Sequence, residues 1–289
     1  MIRRIAYCLM AVLALAGCSG RRQGAAGPDA RPELVVSIEP LRAMLEPLAG
    51  DRFRVVSVMD RSTDAENFEP SMARRMAAEK AACLFVTGVL PFESALAATV
   101  ADSVATVDLS REVELIYGTH GHDGHDHGAG VPDPHIWTSV PNARRMIARM
   151  AEELCTLDPE HAAAYTHRRD SVDRVLAALD DYARAGLAEA PSKAFLIWHP
   201  SLSYFARDYG LQQVALNSEG KDLSAAQMRE AVEQARGSGA RVFLAEKSLN
   251  PRQAESIASE IGARVVEIDP MSSEWSEQIK RIADEIARD

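Results

Sequence analysis

The sequence predicts an α/β protein of two lobes. Each lobe has a four-stranded, mainly parallel sheet flanked by helices, and a long rigid helix joins the two. Three observations carry that expectation. Eight short apolar runs have the length and the β-branched or aromatic make-up of strands. Four of them precede residue 140 and four follow residue 190. Between the two sets, beyond Pro159, a helical pattern runs without Gly or Pro until Gly186.

The strand candidates are Leu34–Ile38, Arg54–Met59, Cys83–Thr87, Val104–Leu109, Ala194–Trp198, Gln213–Leu216, Val242–Ala245 and Arg264–Ile268. They are apolar almost throughout, which marks strands buried on both faces, as in parallel sheets. Helical stretches alternate with them: Pro40–Ala49, Ser71–Ala81, Ser224–Arg236 and Arg252–Ile261. Regular alternation of this kind implies right-handed βαβ units. Pro141–Thr156 reads as one helix. Asp158-Pro159-Glu160 then supplies an N-cap, a proline in the first turn and an acid at the positive end of the helix dipole. Val172, Leu176, Leu179 and Tyr182 recur at helical spacing along the joining helix. About 28 residues at 1.5 Å rise make it a rod of roughly 42 Å. The expected organisation is a leader over 1–17, a tether over 18–32, an N-terminal lobe over 33–157, a linking helix over 158–189 and a C-terminal lobe over 190–289.

The leader has the build of a bacterial secretion signal. Arg3 and Arg4 precede an apolar run from Ile5 to Ala16. That run is short of the ~20 residues that span a bilayer as a helix. Leu15-Ala16-Gly17-Cys18 resembles a lipobox, in which the cysteine becomes the lipidated first residue. Cys18 is therefore the expected lipid anchor, and the Gly-, Ala- and Arg-rich stretch after it a flexible tether. Of the four cysteines, Cys8 leaves with the leader. Cys83 and Cys155 remain, either as free thiols or as a pair.

Composition narrows the function. Hydrophobic residues make up 47% and charged residues 26%, which are globular proportions. The formal charge of -10 and the lack of a basic cluster argue against a nucleic-acid partner. The chain has no His-Glu-x-x-His or Gly-x-Ser-x-Gly string, so neither a zinc-protease nor a serine-hydrolase motif is present. An enzyme is not expected.

Titratable residues at strand ends are more telling, because ligands of open parallel sheets bind outside the carboxyl ends of the strands. His199 follows the run Phe195–Trp198, and Asp269 follows Val265–Ile268. Glu66 lies in the loop after Arg54–Met59, and His135 lies past the loop after the fourth strand. Two imidazoles and two carboxylates suit a four-coordinate divalent cation. A second cluster, His120, His122, His125 and His127, alternates with Gly and Asp in the loop 117–131. The glycines prevent regular structure, so this loop is expected to gather metal loosely, as an auxiliary to the four-residue site. Glu246-Lys247 could line the same cleft without ligating. Met72, Met76 and Leu84 are expected in the core, Trp275 as a packing residue near the final helix, and His161 and His167 on exposed helix positions.

These pieces resemble the zinc/manganese (cluster 9-type) solute-binding lipoproteins of metal ABC importers, over nearly the whole mature chain. The resemblance rests on Glu66-Asn67-Phe68-Glu69-Pro70, Asp133-Pro134-His135-Ile136-Trp137, His199-Pro200 with Tyr204-Phe205 and Tyr209-Gly210-Leu211, and Asp269-Pro270. It implies a monomer in the cell envelope, anchored to a membrane, that captures Zn(II) and passes it to a permease and its ATPase. It assigns His135, His199 and Asp269 to the metal. Position 66 departs, since the zinc members usually have His where this chain has Glu66. Two carboxylates make the ligand set harder and keep Mn(II) or Fe(II) open as the cargo, while His199 and the His-rich loop favour zinc. A metal-binding adhesin or storage lipoprotein on the same fold is the other alternative.

Overall fold

A computed structural model of the protein describes residues 31–59, 65–117, 130–217, 224–247 and 249–288. The expected leader, the anchor Cys18 and the loop histidines His120, His122, His125 and His127 lie outside the described residues.

The N-terminal lobe is built on β1 (Glu33–Ile38), β2 (Arg54–Met59), β3 (Cys83–Val86) and β4 (Thr106–Asp108). The C-terminal lobe is built on β5 (Ala194–Ile197), β6 (Gln212–Ala215), β7 (Val242–Glu246) and β8 (Arg264–Ile268). The strand pairings within both sheets are parallel, in the orders β2-β1-β3-β4 and β6-β5-β7-β8. Both sheets therefore reverse direction of growth beside their first strand, which opens a crevice at the carboxyl ends of β1 and β3 and of β5 and β7. Helices α1 (Glu39–Ala49), α2 (Met72–Ala78), α3 (Pro91–Val100), α6 (Ser203–Tyr209), α7 (Ala225–Gly237), α8 (Pro251–Ile261) and α9 (Trp275–Ala287) cover the sheets, with α4 (Val140–Leu157) and α5 (Ala162–Ala188) between the lobes.

Strand periodicity divides the C-terminal core. Phe195 and Ile197 of β5, with Val242 and Leu244 of β7, point into the large core that continues through the N-terminal lobe. Ala194 and Leu196, with Phe243 and Ala245, point the other way into a second cluster under α7 and α8. Alternate residues facing opposite sides is the period of two that a strand imposes. The large core crosses the seam, because Trp137, Trp275, Ile279 and Ile282 belong to it together with Leu34 and Phe85.

Helix α5 has 27 residues, a rod of roughly 40 Å. It packs along α4 and touches α1 on one side and α6 and α9 on the other. Arg144 grips Asp173 through two N–H···O bonds of 2.7 and 3.0 Å, tying α4 to α5. Tyr209 Oη donates to Asp180 at 3.0 Å and ties α5 to the C-terminal lobe. Indole bonds close the seam further along: Trp137 Nε1 donates to Pro270 O at 3.1 Å, and Trp275 Nε1 donates to Trp137 O at 2.8 Å.

Some expectations need revision. The strand expected over Val104–Leu109 shrinks to three residues. Val104 N donates back to Val100 O at the end of α3, and Asp108 accepts from Ser110 N to start a turn. Helices α3 and α6 were not separated by the apolar pattern. Met72 and Met76, expected in the core, are 71% and 47% exposed, because the short α2 buries only Ala78. Cys83 and Cys155 are free thiols; burial pushes the Cys83 thiol up to about 12. Glu93, which drew no expectation, is buried after β3. Its carboxylate accepts from the backbone N–H groups of Thr87, Gly88, Val89 and Leu90, and burial holds its pKa above the usual range. Gly88 in that turn has φ 84°, and a Cβ there would fall 1.8 Å from Asp108 Oδ1, so only glycine fits.

Candidate metal centre

His135 is fixed before any metal arrives. The chain reaches it through an antiparallel bridge between Tyr117 and Pro132, with Asp133 N donating to Ile116 O at 2.8 Å. Asp133 Oδ1 then accepts twice: from His135 N at 2.8 Å and from the ring Nδ1 at 2.9 Å. A carboxylate only accepts, so Nδ1 carries the proton and Nε2 is left with its lone pair outward. Metal-bound histidines are commonly oriented in this way. Tyr204 Oη donates to Asp133 O at 2.9 Å and accepts from Ile116 N at 3.2 Å, so a helix of the other lobe braces the same turn.

His199 sits two residues beyond β5, at the crevice of the C-terminal sheet. Its carbonyl accepts from Ser201 N at 2.7 Å. Glu66 lies in the segment between β2 and α2, and a cavity of about 380 Å³ has Glu66, Phe68, Pro70, Arg75 and Phe92 on its wall. Phe68 and Phe92 pack edge to face at 5.0 Å, which holds the segment against α3.

The structure brings Glu66, His135 and His199 together, with one donor atom of each inside 4.8 Å of the others. His199 Nε2 is 3.4 Å from His135 Nε2 and 3.4 Å from Glu66 Oε1, and His135 Nε2 is 3.7 Å from the same oxygen. A tetrahedron with arms of ~2.0–2.2 Å has edges of roughly 3.3–3.6 Å. The three atoms therefore lie close to three corners of such a figure. Two imidazole nitrogens facing each other across 3.4 Å need a cation or a proton between them. Exposure is graded, with the side chains of His135, His199 and Glu66 at 7%, 26% and 39%. Solvent reaches the site from the Glu66 side.

Electrostatics follow from the same contacts. The hydrogen bond to His199 holds Glu66 below the ordinary carboxylate range, against burial. Burial pulls His199 down, but Glu66 and Glu246 outweigh it and leave the imidazole above its ordinary value.

Asp269 is not brought to the three. Its Oδ2 accepts from Lys247 Nζ at 2.8 Å, and its Oδ1 accepts from Met271 N at 3.2 Å. Sequence reasoning did not find the role of Asp133; an acid two residues before a ligand histidine was the available signal. Glu246, expected to line the cleft without ligating, accepts from Ser201 Oγ, and burial raises its pKa against the pull of His199. Trp275 packs where expected.

Similarity to known proteins now has a geometry to meet. A family model described as zinc-uptake complex component A, periplasmic, matches residues 34–288. A putative metal-binding protein of Treponema pallidum (strain Nichols) is 29% identical over 252 residues, covering 82% of this chain and 79% of that one. The zinc-binding lipoprotein AdcA of Streptococcus pneumoniae serotype 4 is 26% identical over 285 residues, 94% of this chain but 55% of AdcA. This chain thus spans about half the length of AdcA. A crystal structure of ZnuA matches with a TM-score of 0.80 at 28% identity, covering 89% of this chain and 98% of that chain. With a matching model that runs through both lobes and every residue of the three-donor cluster, the chain belongs to the periplasmic zinc-uptake component A family, metal-binding solute-binding proteins of the cluster 9 type.

Proposed function

We propose that this chain is the extracytoplasmic zinc-capturing component of an ABC importer, and that the interlobe cluster is where it holds its cargo. The observation that carries the reading is the set of three donors, drawn from both lobes and spaced as corners of a tetrahedron. His135, His199 and Glu66 bind Zn(II) through Nε2, Nε2 and Oε1. Asp269 becomes the fourth donor by exchanging Lys247 for the metal. His120, His122, His125 and His127 act as an auxiliary collector. Cys18 is the lipid anchor, and the protein works as a monomer that hands its cargo to a permease driven by an ATPase. It transports and does not catalyse. Zinc-binding AdcA supports zinc, as do the two imidazoles, since nitrogen ligands suit zinc well.

The carboxylate of Glu66 favours one second reading, Mn(II) or Fe(II) as cargo, because oxygen donors suit harder ions. Elemental mass spectrometry of protein purified with its native metal decides between them. The site itself is tested by calorimetry. A His135→Ala/His199→Ala variant loses tight zinc binding, while deletion of residues 119–130 leaves the tight site in place. Unchanged tight binding by the double variant would sink the assignment.

A further inference from the structure

We propose that Glu246 is a positioning carboxylate of the metal centre, the C-terminal counterpart of Asp133, which holds the backbone of His199 in place through Ser201 and lends negative charge to the captured dication. The inference rests on the interlobe cluster being the cargo site, and it adds a residue to that site.

Topology places Glu246. Strands β5 and β7 run parallel as neighbours, with Ile197 level with Leu244. Counting two residues on along each brings His199 level with Glu246. Adjacent strands lie about 4.8 Å apart. Both residues continue the set Phe195, Ile197, Val242 and Leu244, which faces the large core and the seam, not the second cluster. They also flank the point where this sheet reverses its direction of growth, the place at which open α/β sheets bind ligands.

Hydrogen bonding then fixes the pair. Ser201 N donates to His199 O at 2.7 Å, and Ser201 Oγ donates to Glu246 Oε1. One serine therefore holds both the backbone of the histidine and the carboxylate. Glu246 interacts electrostatically with His199, His135 and Glu66, although it is not one of the three clustered donors. The other carboxylate at this edge is already engaged, since Lys247 holds Asp269. Among the described residues, Glu246 is thus an acid at the C-terminal crevice with no lysine or arginine ion pair. Asp133 contacts the His135 ring directly, whereas the Ser201 bridge ties Glu246 to the backbone carbonyl of His199.

The test separates charge from packing. Zinc affinity is measured by competition with a chelator for the wild type, Glu246→Gln and Glu246→Asp. Glu246→Gln keeps the shape and an acceptor for Ser201 but removes the charge. It should bind zinc about tenfold more weakly, the scale of losing an outer partner of a metal ligand. Glu246→Asp should recover most of that loss, and both variants should melt like the wild type when metal-free. A Glu246→Gln chain that binds zinc as the wild type does overturns the proposal. So does a Glu246→Asp chain as weak as Glu246→Gln, which would make the residue a packing element. If either variant fails to fold, Ser201→Ala unties the carboxylate while keeping its charge. Several-fold weaker binding supports the bridge, and unchanged binding overturns it. A wild type without zinc affinity would instead remove the cargo site itself, and the His135→Ala/His199→Ala comparison would show that separately.

Discussion

The two lobes share one strand order and finish their halves of the proposed metal site differently. The N-terminal half is complete as it stands. His135 is buried, its tautomer is set by Asp133, and the turn that carries it is braced by Tyr204. The C-terminal half is still adjustable. His199 is more open, and Asp269 is occupied by Lys247. A single scaffold plan thus gives one half whose histidine is fixed by its own lobe and one whose carboxylate is engaged by a lysine. Preorganised donors bind faster and tighter, because the cost of gathering them is met on folding. Exchangeable donors make release possible.

The largest expected effect comes from loosening the fixed half. Asp133→Asn keeps an acceptor for His135 but removes the charge and lets the amide donate instead, which permits the wrong tautomer. Zinc affinity should drop by about 10–100-fold, measured by chelator competition. If it drops less than in Glu246→Gln, the N-terminal half is not the more fixed one, and the comparison breaks.

A middle-sized effect is expected from pH. His199 is raised above 6.5, so protons compete with metal to a higher pH than for a free imidazole. Zinc affinity should keep climbing above pH 6.5. The metal-free chain should respond in the opposite sense. A raised histidine contributes stability below its unfolded pKa, and that contribution is lost as pH rises through the folded value. Glu66, held low, contributes above its unfolded pKa and loses its share as pH falls through the folded value. Melting curves with and without zinc should therefore separate as pH rises. Parallel curves would mean that the Glu66–His199 contact does not form in solution.

The smallest effect belongs to the adjustable half. The Lys247–Asp269 pair lies near the surface, where such contacts are worth about 0.2–1 kcal/mol. Lys247→Met frees Asp269 and should tighten zinc binding by no more than about fivefold. Weaker binding in that variant would show that the lysine supports the site and does not restrain it.

Much of this was legible in the chain. Strands such as β1, β3 and β7 announce themselves because a strand covered on both faces has no polar side to show. Histidines at strand ends stand out for the same reason, being polar residues where an apolar run stops. Helix α2 shows the limit. Met72 and Met76 are four apart and define a face, but spacing carries no information on whether anything covers that face. The engagement of Asp269 by Lys247 was hidden differently. It joins residues 22 apart, each just past the end of one of two neighbouring strands, a contact that depends on register and rotamer and leaves no periodic trace. Glu93 escaped notice because a buried carboxylate satisfied by four backbone N–H groups looks, in sequence, like any acid in the first turn of a helix.

The tryptophans give the molecule an optical consequence. The chain has three, and two of them, Trp137 and Trp275, lie along the seam, while the Trp198 side chain packs against the second cluster of the C-terminal lobe. Trp198 adjoins His199, the Trp137 ring lies 5.2 Å from that of His135, and Trp275 bonds across to Trp137. Zinc absorbs no visible light, yet two of the three tryptophans sit along the seam beside the proposed site. Intrinsic fluorescence should shift as zinc is titrated into the wild type and stay flat in the His135→Ala/His199→Ala chain. Loading and unloading could then be followed in real time, without a label, while the cargo itself stays dark.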